Sequence, residues 1–133
     1  MQGLFIQIIG VITVLGFLGM LIFQLFLAFG APIAHLSWGG RYEGKLPKNL
    51  RIASFISSSI FIFGGLCVLE RVGIFTFLNR PQVCRYTTLA LAVLFALSTL
   101  GNLTSKSKAE KKIMAPISIS LSIFCFIIAL AGN

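Results

Sequence analysis

The chain has 133 residues, 57% of them hydrophobic and only 11% charged, where a soluble domain carries about 25%. Its mean hydropathy of +0.99 excludes an ordinary soluble domain. A membrane helix takes roughly 20 apolar residues, so the length holds about four or five spans and no separate soluble domain. Net charge is +8, with three Glu and no Asp. The positives sit in short connectors between apolar runs, which suits anionic headgroups and topology signals and leaves no case for nucleic acid.

The first predicted span covers residues 3–29 and ends at Gly30-Ala31-Pro32. A signal peptide wants a basic leader and an apolar stretch of about 7–15 residues. Residues 3–31 run without a charge, and no Lys or Arg precedes them. The segment therefore reads as a retained helix with an exported N-terminus. Gln7 and Gln24 are the only amides inside it and read as interhelical hydrogen bonds.

The first connector holds the only His (His35), the only Trp (Trp38) and the cations Arg41, Lys45 and Lys48, with Arg51 at the next helix edge. Gly39 to Lys45 satisfies G-x-x-x-x-G-K. A P-loop needs Ser or Thr next and a strand before. Leu46 follows and a membrane helix precedes, so nucleotide hydrolysis is excluded. The glycines read as turn residues with positive φ. Trp38 and Tyr42 suit the headgroup belt. One His with no Asp and no neighbouring Cys makes no metal site, and His35 reads as an interfacial hydrogen-bonding group.

The second span, 50–70, starts behind Asn49 as its N-cap and closes on Glu70-Arg71. Glu70 is expected at the interface, ion-paired with Arg71 or Arg85. The third span is 84–103. The connector after it reads Asn102-Leu103-Thr104-Ser105-Lys106-Ser107-Lys108-Ala109-Glu110. Ser107 and Glu110 form S-x-x-E, a capping box opening a fourth span at 108–131. Hydroxyls, lysines and a helix N-terminus in one place also favour an anion, a phosphate or lipid headgroup. Pro116 must free the carbonyl of Lys112 and is expected to kink that helix.

Backbone groups in lipid must be satisfied internally, so the spans are helices. Connectors one and three share a side and carry Arg41, Lys45, Lys48, Arg51, Lys106, Lys108, Lys111 and Lys112, against Arg71, Arg80 and Arg85 on the other side. The positive-inside rule puts the larger set in the cytoplasm and both termini outside. Small residues recur at helical spacing: Ala115, Ser118, Ser122, Cys125 and Ala129; Thr88, Ala92, Ala96 and Thr99; Ala53 and Ser57, with Gly64 beyond. Such stripes let backbones approach closely and predict a compact four-helix bundle; lining a cavity is the alternative. Cys67, Cys84 and Cys125 lack a C-x-x-C pattern and read as apolar space-fillers, with a Cys67–Cys84 disulfide as the alternative.

Two stretches carry a resemblance. Gly30-Ala31-Pro32, Trp38-Gly39-Gly40, Gly44, Leu46-Pro47 and Leu50-Arg51 resemble the first connector of a group of small uncharacterised four-span bacterial membrane proteins. Gly101-Asn102-Leu103, Ser105, Ser107, Glu110 and Pro116 resemble that group's third connector, with Lys111 and Lys112 at its basic positions. Ile33-Ala34 depart from the aromatic–glycine pair often found after its Gly-Ala-Pro. The resemblance implies the four-span plan in a bacterial inner membrane and no particular activity.

The two resembling loops are expected to meet beneath the bundle as one basic cytoplasmic cap. Candidate ligand or headgroup contacts are His35, Trp38, Arg41, Glu43, Asn102, Ser105, Lys106 and Glu110. Paired acids, a metal constellation and a nucleophile with its base are all missing from the sequence, so no catalytic residue, metal or cofactor is assigned. The expected function is an accessory bundle that binds lipid or a membrane-protein partner. The alternative is a carrier or binding protein for a small or lipid-like ligand, working as a homodimer in one form. That alternative requires a cavity reaching Gln24, His35 and Trp38. An intramembrane enzyme would need His35, Arg41, Glu43 and Asn102 in one pocket.

Overall fold

The structure, a computed structural model, describes residues 2–131. Four helices carry the chain: α1 (Gln2–Ala28), α2 (Lys48–Arg71), α3 (Pro81–Leu103) and α4 (Ala115–Ala131), the last entered through a π turn at Glu110–Met114. All four, the last taken with its π turn, are long and apolar enough to cross a membrane, and the described residues contain no strand. The expected all-α bundle is what forms. α3 begins earlier than expected because Pro81 occupies its first turn, where a fixed φ suits the helix and a missing N–H costs nothing. Asn49 is not the N-cap of α2. Pro47 stands there, and its carbonyl accepts the amides of Leu50 and Arg51 at 3.1 and 3.0 Å.

α1 packs along α2, α3 packs along α4, and the pairs close into a ring through α2–α3 and α1–α4. Phe17, Phe61 and Phe95 meet at the centre with ring centroids 5.7–5.9 Å apart. Lipid tails are as apolar as Leu, so close packing rather than removal from water holds such a centre together, and each aromatic pair adds about 0.5–1.5 kcal/mol. The small-residue stripe of α4 is buried throughout. On α3, Thr88, Ala92 and Thr99 are buried and Ala96 is half-buried. On α2 the buried seam is displaced by one residue from Ala53 and Ser57 to Ser54 and Ser58, continuing through Phe61 and Gly64. At Gly64 a Cβ would stand 2.5 Å from Leu91 Cδ1, so the Leu91 side chain packs directly onto the α2 backbone there.

Most buried hydroxyls turn back on their own helix. Thr13 donates to Ile9 O, Ser58 to Ser54 O, Thr88 to Cys84 O and Thr99 to Phe95 O. Ser122 instead crosses to Ala92 O at 2.7 Å and ties α4 to α3. Cys67, Cys84 and Cys125 are buried free thiols, matching the space-filling reading.

Arginine side chains finish two helices. Arg51 Nε donates to Ala28 O at the end of α1 at 3.0 Å. Arg71, 4% exposed, donates to Ala129 O at the end of α4 at 2.9 Å and approaches Ile128 O at 3.5 Å. Gly30 (φ +89°) and Gly73 (φ +80°) close α1 and α2 in left-handed turns. Ala31 N–H reaches Phe26 O and Ile74 N–H reaches Leu69 O, the six-to-one bond of a Schellman end.

Glu70 corrects an expectation. Its carboxylate forms no ion pair with Arg71 or Arg85; it accepts the backbone amides of Phe77, Leu78 and Arg80 at 2.9, 2.7 and 3.0 Å. One side chain thus clamps the whole second connector. Glu70→Gln replaces one acceptor oxygen with a donor that faces those amides. We expect Phe77, Leu78 and Arg80 to lose hydrogen-exchange protection while the centres of α2 and α3 keep theirs. Unchanged protection at those three amides would refute the clamp.

Pro116 lies just beyond the π turn, with Ala115 between them. Ala115 N–H bonds to Glu110 O, five residues back. The wider turn makes room for the proline ring and shifts the carbonyl register that proline disrupts. The chain therefore answers Pro116 at the helix entry.

Candidate functional site

The first connector folds on a small core of its own. Leu27, Ala34 and Leu46 are buried together, with Phe23, Ile33, Tyr42 and Leu50 packed around them. Ala34 N–H donates to Gly44 O at 2.9 Å, across the loop. Ile33-Ala34 are therefore core residues, and Tyr42 packs on this core.

Trp38, Gly39 and Gly40 follow with φ of +53°, +74° and +71°. Glycine takes that conformation freely, but a tryptophan there is strained by about 1–3 kcal/mol. Contacts with the third connector hold it. Lys106 N–H donates to Gly39 O at 3.0 Å. Gly40 lies so close to Ser107 that an added Cβ would stand 2.8 Å from Ser107 N. The two loops do meet, as the sequence led us to expect.

The capping box is half formed. Ser107 Oγ accepts the Glu110 amide at 3.3 Å, a long bond. The Glu110 carboxylate does not return to the Ser107 amide. Ser105 takes that place: its Oγ accepts Ser107 N–H at 3.0 Å and donates to Glu110 Oε2 at 2.6 Å. Ser105 is 3% and Glu110 4% exposed. A serine two residues before the cap thus links loop and carboxylate.

Above this cap lies a cavity of about 710 Å³ between all four helices. Its loop end is lined by Gln24, Trp38, Arg41, Asn102, Lys106 and Glu110, and its bundle side by the buried Phe61 and Phe95, with the exposed Ile60 and Leu94 at its outer edge. Phe61 and Phe95 belong to the central aromatic trio, so the bundle core is the cavity's floor. Asn102 Nδ2 donates to Ser118 Oγ at 2.9 Å, and that hydroxyl donates to Met114 O, which fixes α3 against α4 at the wall.

No known family, curated protein or solved structure matches the chain. What the site does must be read from its own residues.

Trp38, Arg41, Asn102, Lys106 and Glu110 come together on the wall, and Ser105 lies behind Glu110. His35 and Glu43 are exposed and lie off it. His35 sits on a short turn, Ala34–Leu36, of which only Ala34 is buried. The four-residue polar pocket of His35, Arg41, Glu43 and Asn102 is not assembled. Gln24, expected to bridge helices, instead lines the cavity. Ser57, Ser98 and Ser118 line it too, so two stripe residues, Ser57 and Ser118, border the cavity.

Proposed function

We propose that the protein is a membrane-embedded binding protein for an amphipathic anion, with the head held by Arg41 and Lys106 and the apolar part against Phe61 and Phe95. The observation that carries this is the 710 Å³ cavity, polar at its loop end and aromatic at its floor. Small-molecule sites occupy about 300–1,000 Å³, so the size suits a headgroup with a length of chain. A bundle that serves only as an accessory gains nothing from such an opening, which favours the ligand-binding reading over the accessory one. The site offers recognition groups and no nucleophile with a base, so we read it as a binder rather than a catalyst.

In this proposal the cap faces the cytoplasm of a bacterial cell, with both termini outside. Eight cations on connectors one and three and their edges, against Arg71, Arg80 and Arg85, support that direction. The stretches that resemble small four-span bacterial membrane proteins are the loops that build the mouth, which supports a shared use for them.

The test is native mass spectrometry of the chain gently extracted from membranes. A discrete added mass that survives activation is expected. Its occupancy should fall about tenfold in Arg41→Ala and in Lys106→Ala, the effect of losing roughly 1.4 kcal/mol of charge-assisted bonding. A bare chain, or one carrying only another protein, would overturn the reading.

A further inference from the structure

Glu110 is the residue the anion-binding reading does not use. It lies on the cavity wall, yet it carries the charge that should repel an anion. Its side chain is 4% exposed. Oε2 takes the Ser105 hydroxyl at 2.6 Å, a length proper to a hydroxyl bound to a carboxylate. Oε1 takes no hydrogen bond or ion pair among the described residues, although Arg41 and Lys106 line the same cavity. A largely buried carboxylate is stabilised by every donor that meets it. The wall therefore presents two cations and one buried acid with an open oxygen.

We infer that the cavity binds a zwitterionic aminoalkyl phosphate on an apolar chain, its phosphate at Arg41 and Lys106 and its ammonium at Glu110 Oε1. This rests on the amphipath-binding reading and narrows it. The chemistry complements the wall: phosphate accepts from guanidinium and ammonium donors, and the ligand ammonium gives the acid the donor that the protein withholds. Ser105 is the positioning residue, since its hydroxyl occupies Oε2 and leaves Oε1 for the ligand. The aromatic floor favours a chain-bearing molecule over a free headgroup.

The experiment measures affinity of the full chain in detergent micelles for four probes. These are monoacyl phosphoethanolamine; monoacyl phosphoethanol of the same chain length, in which the ammonium is absent; monoacyl phosphocholine, whose nitrogen has no N–H; and chain-free phosphoethanolamine. The wild type should hold the first about tenfold more tightly than the second and third, and should bind the fourth weakest. Glu110→Gln should erase the preference for the first over the second, because it removes both the partner of the ammonium and the repulsion felt by the phosphate. If Glu110→Gln weakens both probes, the wild-type ranking alone decides, because it needs no variant. Equal wild-type affinity for the first two probes overturns the zwitterion inference and leaves the amphipath reading standing. No binding by any acylated probe overturns the amphipath reading itself. Tight binding of chain-free phosphoethanolamine would assign the site to a soluble headgroup and overturn the chain requirement.

Discussion

Gly40→Val is expected to part the two connector loops and empty the cavity. At φ +71° a β-branched residue is strained, by about 1–3 kcal/mol. Its Cβ would also meet Ser107 N at 2.8 Å. That neighbour is backbone, fixed by the Ser105 and Glu110 bonds, so it yields only by moving the loop. Overpacking of this kind adds about 1–3 kcal/mol. Gly44 provides the control, since its φ is also +71° but a Cβ there meets nothing within 4 Å. Gly44→Val should show the strain alone. Spin labels on the exposed Lys45 and Lys108 should report a broadened distance distribution in Gly40→Val and a native one in Gly44→Val. Two native distributions would mean that the Gly40 contact does not hold the cap.

The second large effect is expected at the other end of the bundle. Arg71→Met keeps an unbranched apolar stem and removes the guanidinium donors from Ala129 O and Ile128 O. A buried carbonyl left without its donor costs about 1–3 kcal/mol, so we expect a loss of about 2–4 kcal/mol. Arg51→Met removes the donor from Ala28 O, but Arg51 is only half-buried and water can replace it there. Unfolding by a denaturing detergent in bicelles should rank Arg71→Met well below Arg51→Met in stability. The reverse order would show that burial does not set the cost.

The spans were legible because each is an unbroken apolar run of membrane length, and that signal needs no partner to be read. The meeting of the loops was also legible: both carry glycine, proline and cations, and an even number of spans returns them to one side. The α2 seam was not. Ala53 with Ser57 and Ser54 with Ser58 share one spacing and one size class, so only the facing helix decides between them. The Glu70 clamp left no trace in the sequence either, because its partners are backbone amides and any residue supplies those. Of the site, the charged and aromatic residues near the loops stood out, whereas Gln24, Ser57 and Ser98 became visible only when four helices were set around one space. His35 and Glu43 drew attention by chemistry alone, and the core of Leu27, Ala34 and Leu46 turns their loop so that both stay on its outer side.

The hydroxyls that turn back on their own helices bear on how the chain is made. Thr13, Thr88 and Thr99 find acceptors four residues back, so those groups enter hydrocarbon already satisfied and each helix can leave the translocon alone. Among the hydrogen-bonded groups, Arg51 reaches from α2 to α1, whereas Ser122, Asn102 and Arg71 join α4 to α3 or α2. Arg71 waits at the end of α2, near the headgroups, where its charge can stay hydrated until α4 arrives. Synthesis therefore lets α1 and α2 pair through Arg51 before α4 is made, and α4 then supplies the partners of Asn102 and Arg71 and closes the cavity.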